Sequence, residues 1–213
     1  MINCCCSLPQ SGCLNSGTFT DDFSVVGDRE WLLDGLVKGD VLQTVRRNTF
    51  PDSNRFAEFH HCVNTPDWPL TEHIEASLDF FGPEFPSEST ESLSVGRATI
   101  SFGTLLLGGM VITTGGQLAD NTIVTNFPDS RNASIRVTRV AADDFLVSYK
   151  VDNVEIATAN MTAQRIGFIN GQQQLQQINV SGSISRRNIS TDILVNTFDP
   201  LFGLDNLTIV RSW

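Results

Sequence analysis

The stretch SIRVTRVAADDFLVSYKVDNVEIAT, Ser134 to Thr158, decides the fold class. In FLVSYKV, residues Phe145, Val147, Tyr149 and Val151 share one face of a period-two segment. In SIRVTRV, Ile135 and Val137 alternate with polar neighbours, and Arg136 and Arg139 lie outside. Between Val151 and Val154 stands Asp152-Asn153, a pair that tolerates the positive φ of a two-residue hairpin. The stretch therefore predicts antiparallel strands joined by short turns.

The composition extends this reading to the whole chain. The 213 residues hold 17 Val, 14 Ile and 19 Thr, but only 10 Ala, 8 Glu and 2 Lys. The first group suits pleated surfaces and the second contains the usual helix formers. With 16 Gly, 15 Asn and 16 Asp for turns, the sequence reads as all-β. Strands are predicted at Phe19–Phe23, Trp31–Leu33, Val41–Arg46, Arg55–Val63, His73–Phe81, Gly96–Phe102 and Leu105–Thr113. More follow at Thr122–Asn126, Ser134–Ala141, Phe145–Val151, Val154–Ala159, Arg165–Ile169, Gln176–Ser185, Asp192–Phe198 and Leu207–Arg211. Pro83–Glu91 reads as an acidic, proline-containing loop, and Asp199–Gly203 as the one helical turn. Residues 1–18 form an irregular cysteine-rich arm ahead of a β module spanning 19–213.

Charge excludes some functions. With 14 Lys+Arg against 24 Asp+Glu the formal charge is -10, which does not suit a phosphate backbone, so no nucleic-acid partner is expected. No apolar run reaches membrane-spanning length, and no membrane partner is expected. MINCCCSLPQSGC has neither the cationic start nor the apolar stretch of a signal peptide, so folding in a host cytoplasm is expected.

Several segments resemble, in order, those of concanavalin A-like lectin/glucanase (LamG-like) jelly rolls. They are TFTDDFS (Thr18–Ser24), Trp31 with Asp34-Gly35 and Val41-Leu42, HIEASLDFFG (His73–Gly82), the hairpin stretch above, and GLDNLTIVRSW (Gly203–Trp213). The resemblance spans Phe19 to Arg211. It implies a two-sheet antiparallel β-sandwich whose closing strand pairs beside the opening one. It also implies a candidate structural Ca2+ held by Asp21, Asp22, Asp205 and Asn206, oxygen donors suited to a hard cation.

Hydrolases of this family place carboxylates two residues apart on one strand. The segment from Glu72 to Asp79 lacks that array, with Glu75 and Asp79 four apart. Asp152 and Glu155 flank a hairpin tip, no GxSxG elbow occurs, and His60, His61 and His73 sit in no catalytic motif. No catalytic residue is assigned, and the chain is read as a non-enzyme. Sugar binding would use aromatic and planar polar side chains, for which Trp68, Arg97, Asn170 and Gln172 are the candidates, with Trp31 and Tyr149 as further aromatics.

Five cysteines leave three readings open. Cys4, Cys5, Cys6 and Cys13 could form intermolecular disulfides, for which an odd total and adjacent sulfurs speak. They could bind zinc or an iron–sulfur cluster, against which the spacing speaks. They could remain free thiols, and Cys62, in an apolar context, reads as a buried thiol. A lectin-like jelly roll behind such an arm resembles bacteriophage tail-fibre and other virion accessory proteins. The expectation is a homo-oligomeric virion component joined to other virion proteins through its cysteines and meeting a cell-surface glycan. A capsid-decorating protein without sugar binding and a cellular glucanase-type enzyme are the alternatives.

Overall fold

The computed structural model describes residues 13–21, 32–34, 36–38, 41–43, 45–49, 52–66, 68–81, 89–103, 109–114, 117–125, 130–169, 175–188 and 203–212. Along the chain lie β1 (Gly17–Asp21), β2 (Leu32–Asp34), β3 (Leu36–Lys38), β4 (Val41–Gln43), β5 (Val45–Thr49) and β6 (Asp52–Asn64). Next come β7 (His73–Phe81), β8 (Ser89–Val95), β9 (Ala98–Gly103), β10 (Gly109–Thr114), β11 (Gln117–Thr125), β12 (Ser130–Arg139), β13 (Asp144–Val151) and β14 (Val154–Thr162). A helical turn α1 (Ala163–Ile166), β15 (Phe168–Ile169), β16 (Leu175–Asn188) and β17 (Gly203–Arg211) complete the described elements.

The strands form two sheets. One has eight strands in the order β14-β13-β12-β7-β17-β4-β3, with β1 also paired to β17. The other has nine, in the order β11-β10-β9-β8-β16-β6-β2, with β15 on β16 and β5 on β6. Every described pairing between strands is antiparallel, and the opening strand lies against the closing one, Gly17 opposite Arg211 and Asp21 opposite Leu207. That is the arrangement the sequence implied.

Alternation places the core between the sheets. Ile74, Ala76, Leu78 and Phe80 of β7 and Phe145, Val147, Tyr149 and Val151 of β13 face inward from the first sheet. Phe59 and Val63 of β6, Ile100 and Phe102 of β9 and Ile178, Val180 and Ile184 of β16 meet them from the second. Phe80 and Phe102 meet edge to face across the gap, ring centroids 5.6 Å apart. Each large side chain so buried contributes on the order of 1.5–3 kcal/mol. Gly182 of β16 makes room in this core, because a Cβ there would stand 2.3 Å from the Phe59 ring and 2.6 Å from Leu78.

The β13–β14 hairpin turns at Asp152 and Asn153 with φ of 49° and 64°, as the sequence predicted. Four other local readings change, the first being the strand expected over Val41–Arg46, which is divided between β4 and β5 in different sheets. Ser89, Thr90 and Glu91 belong to β8 rather than to a loop. Residues 163–166 form a helical turn where a strand over Arg165–Ile169 was expected, leaving only β15 as strand. Gly203 begins β17 rather than ending a helical turn. The rest of that expected turn (199–202), the strand expected over 192–198 and the start of the expected acidic loop (83–88) lie outside the described residues.

The last part of the cysteine-rich segment is bound to the sandwich. Leu14 bridges Val63 in parallel, donating its N–H to the Cys62 carbonyl at 2.8 Å and accepting from Asn64 N–H at 2.9 Å. Cys13 forms a disulfide with Cys62 within the chain, 49 residues apart. This replaces the intermolecular bond expected of Cys13 and the free buried thiol expected of Cys62. Pairing became available because β6 carries Cys62 outward, beside the edge along which Leu14 adds. Cys4, Cys5 and Cys6 lie outside the described residues.

Candidate functional site

The outer face of the nine-stranded sheet is lined with hydroxyls. In β8 the apolar Leu93 and Val95 point to the core, leaving Ser92 and Ser94 outside; in β9, Thr99 and Ser101 alternate with Ala98, Ile100 and Phe102. In β16, Ser181 and Ser183 alternate with Val180, Gly182 and Ile184. The register aligns these positions into two rows. Ser101, Ser92, Ser183 and Glu58 stand opposite one another across β9, β8, β16 and β6. Thr99, Ser94, Ser181 and His60 form the next row. Ser92 and Ser183 hydroxyls are 2.8 Å apart, and Ser94 and Thr99 hydroxyls 2.9 Å. At one side Glu58 Oε2 lies 3.5 Å from His60 Nε2, with both side chains partly exposed.

Small hydroxyl side chains make a shallow floor that can both donate and accept hydrogen bonds. The Glu58–His60 pair adds an acceptor and a titratable group at its margin. Sequence reasoning missed this face. Its signal is present in ESLSV, ATISF and VSGSI, where Ser or Thr recurs at every second residue, but the third segment lies about eighty residues from the first two.

The predicted sugar-binding residues are differently placed. Trp68 is 2% exposed, its indole Nε1–H donates to the Glu72 carbonyl at 3.1 Å, and its ring packs 5.1 Å from Phe145. It belongs to the core and offers no open platform; Tyr149 is fully buried as well. Arg97 is exposed on the β8–β9 turn. Asn170, Gln172 and Trp31 lie outside the described residues.

The carboxylates of β7 face outward from the eight-stranded sheet and are engaged. Glu75 accepts from Arg136 Nε at 2.8 Å and Nη2 at 2.5 Å, an ion pair between neighbouring strands. Asp79 accepts from Asn132 Nδ2 at 2.7 Å and from Asn206 Nδ2 at 2.9 Å. Asp205 accepts from the Asn206 N–H at 2.7 Å. The structure thus brings Asp205 and Asn206 together, as the calcium expectation required, but adds Asp79 and places amide N–H groups against both carboxylates. A cation there would have to displace the Asn206 amide. Asp21 stands opposite Leu207, and Asp22 lies outside the described residues. Among the described residues no three or more His, Cys, Asp or Glu side chains converge as metal ligands.

No protein-family model matches the sequence, and no curated protein matches it. Solved structures do. The lectin UEA-II, in complex with galactose, aligns with a TM-score of 0.52 at 12% identity over 92% of this chain and 98% of that one. A Bacillus licheniformis beta-glucanase aligns with a TM-score of 0.48 at 13% identity, over 93% and 99%. The CBM2 module of the evolved Dit of Lactobacillus casei BL23 phage J-1 aligns with a TM-score of 0.48 at 7% identity, over 94% and 99%. At such identities the likeness is one of fold. Two antiparallel sheets with paired first and last strands, matching UEA-II along nearly the whole of both chains, make this a concanavalin A-like jelly-roll β-sandwich.

Proposed function

We propose that this protein is a non-enzymatic carbohydrate-binding module that works as an adhesion component of a virion. The observation that carries the sugar-binding part is the hydroxyl-lined outer face of the nine-stranded sheet, with Glu58 and His60 at its side. Such a face can exchange hydrogen bonds with sugar hydroxyls one for one, and the fold is shared with a lectin complexed with galactose. Fold alone is a weak warrant for function, so the face and not the architecture bears the weight.

Attachment would fall to Cys4, Cys5 and Cys6. With Cys13 and Cys62 bonded to each other, an odd number of cysteines is left for other partners. The partners in this reading are further copies of the chain or other virion proteins. The Cys13–Cys62 bond supports an oxidising destination such as a particle surface. The test is a glycan array run with the wild type and with Ser92→Tyr/Ser183→Tyr, which raises bulk on the floor. Binding by the first and not the second supports the proposal. Silence of the wild type across the array would favour a decorating protein that binds no sugar.

A further inference from the structure

β14 stands at one end of the eight-stranded sheet, paired on one side with β13 and on the other with no described strand. Backbone N–H and C=O groups of an antiparallel strand point alternately to its two sides, so a row of them on β14 meets no ladder partner. The other strands that end the sheets offer less. β2 and β3 are three residues long, β3 carries Lys38, and β11 carries Asp120. β14 runs for nine residues, and from Ile156 to Thr162 it has neither a charge nor a proline. A bulge interrupts its pairing only near the hairpin, between Tyr149 and Lys150. From Ala157 opposite Tyr149 to Thr162 opposite Asp144 the register is unbroken. Over this stretch the edge lacks the lysines, prolines and bulges that keep exposed strands from pairing.

The side chains of the stretch suit a second copy of the chain. Ala157 and Ala159 face inward, opposite the fully buried Tyr149 and Val147, yet both are half-exposed where the sheet ends. Thr158, Asn160 and Thr162 face outward and are exposed. The segment Ala157-Thr158-Ala159-Asn160-Met161 is nearly self-complementary when turned about Ala159. Antiparallel pairing centred there sets Thr158 opposite Asn160 of the second copy and Ala157 opposite Met161 of the second copy. Polar side chains meet polar ones on the outer face, apolar meet apolar on the inner, and no charge faces a charge. That neutrality matters in a chain of net charge -10, whose overall field repels another copy. Glu155, the charge beside the stretch, is engaged within its own chain by the Ser148 hydroxyl at 2.7 Å. Self-pairing of this kind closes on two copies and covers both open edges.

We infer that β14 is a dimerisation edge, at which two copies pair antiparallel about Ala159 into one continuous sheet. The twofold axis is then normal to the sheet, so both nine-stranded sheets lie on the same side of it. The two hydroxyl faces point the same way, which lets a surface of repeated ligands engage both at once. The inference concerns assembly and goes beyond the sugar-binding reading, since the edges pair whether or not the faces bind glycan.

Sedimentation equilibrium tests it on the full-length chain carrying Cys4→Ser, Cys5→Ser and Cys6→Ser. That background keeps the Cys13–Cys62 bond and removes covalent multimers through the arm. It is expected to show a reversible monomer–dimer equilibrium. Thr158→Lys/Asn160→Lys, which sets lysine opposite lysine across the axis, should raise the dissociation constant about tenfold or more. Two added lysines lower the net negative charge, so general repulsion does not account for that loss. Thr158→Lys/Asn160→Glu sets lysine opposite glutamate and should restore the dimer. Both positions are exposed, so neither change reaches the core. As a check free of further substitutions, amide hydrogen exchange over β14 should slow as protein concentration rises. A background that stays monomeric at every concentration overturns the inference, as does a dimer indifferent to the two lysines. Equal weakening by both double variants overturns the pairing about Ala159. Exchange over β14 that ignores protein concentration overturns the edge itself.

Discussion

Glu91 of β8 and Arg131 of β12 form an ion pair across the sandwich, joining the two sheets. Arg131 Nη2 and Nε lie 2.5 Å and 3.0 Å from Glu91 Oε2, and the guanidinium also covers the Phe102 ring at 4.6 Å. Glu91 is 4% exposed, so its charge depends on that partner. Removing Arg131 alone, in Arg131→Met, is expected to cost about 3–5 kcal/mol, since it strands a buried carboxylate. The double change Glu91→Leu/Arg131→Met should recover most of that loss. Urea denaturation of the three proteins checks both statements.

The same carboxylate sets a pH slope. Burial raises the Glu91 pKa above 4.5, and Arg131 opposes the rise. Its contribution to stability is therefore full below 4.5 and is lost as pH climbs through the folded-state value. Glu91→Gln should remove that slope from a series of urea midpoints taken upward from about pH 4.

His61 and His73 act in the opposite sense. His61 is buried 4.4 Å from the Phe19 ring of the facing sheet, and burial lowers its pKa despite a contact from Nδ1 to the Cys62 carbonyl. Burial and then Arg136 lower that of His73, against the pull of Glu75 and Glu72. Groups with depressed folded values contribute stability that is complete above 6.5 and lost as pH falls through the folded values. Acidification from about pH 7 should lower the urea midpoint, and His61→Phe should flatten part of that fall.

The Cys13–Cys62 bond closes a loop across 49 residues and fastens the arm to β6. By chain-entropy reasoning its removal costs about 4 kcal/mol. Cys62→Ser should lower stability by roughly that amount, and wild type in reductant should match it. If the arm also anchors the particle, intact mass without reductant should show covalent multimers through Cys4, Cys5 and Cys6 in wild type and Cys62→Ser alike.

Gly182 offers a further test of packing. Gly182→Ala would press a methyl into Phe59 and Leu78, and overpacking of this kind costs about 1–3 kcal/mol. Thermal unfolding should report a lowered midpoint with the same β-type circular dichroism.

Much of this fold is legible in local pattern. Alternation in β13 and the Asp152-Asn153 turn are properties of neighbouring residues, and both are present as expected. The segment from Ser89 to Glu91 reads as loop because its acidic, polar composition looks solvated. What makes it strand is Arg131, forty positions away, which lets Glu91 face inward. Trp68 reads as a sugar platform for the same reason in reverse, since nothing adjacent reveals that Phe145 covers it. The disulfide needs the outward turn of Cys62 on β6, a fact of register. The hydroxyl face needs four strands aligned. Sites assembled across sheets are legible only once the sheets are known.

Sugar binding on the hydroxyl face is tested most directly by a glycan array read by the intact, oxidised protein beside Ser92→Tyr/Ser183→Tyr, followed by recovery of the bound glycans. Wild type is expected to bind a defined set, the variant to lose it with an unchanged thermal midpoint, and the glycans to return uncleaved. Binding that survives the variant, or glycans returned with new reducing ends, would contradict a non-enzymatic sugar-binding face.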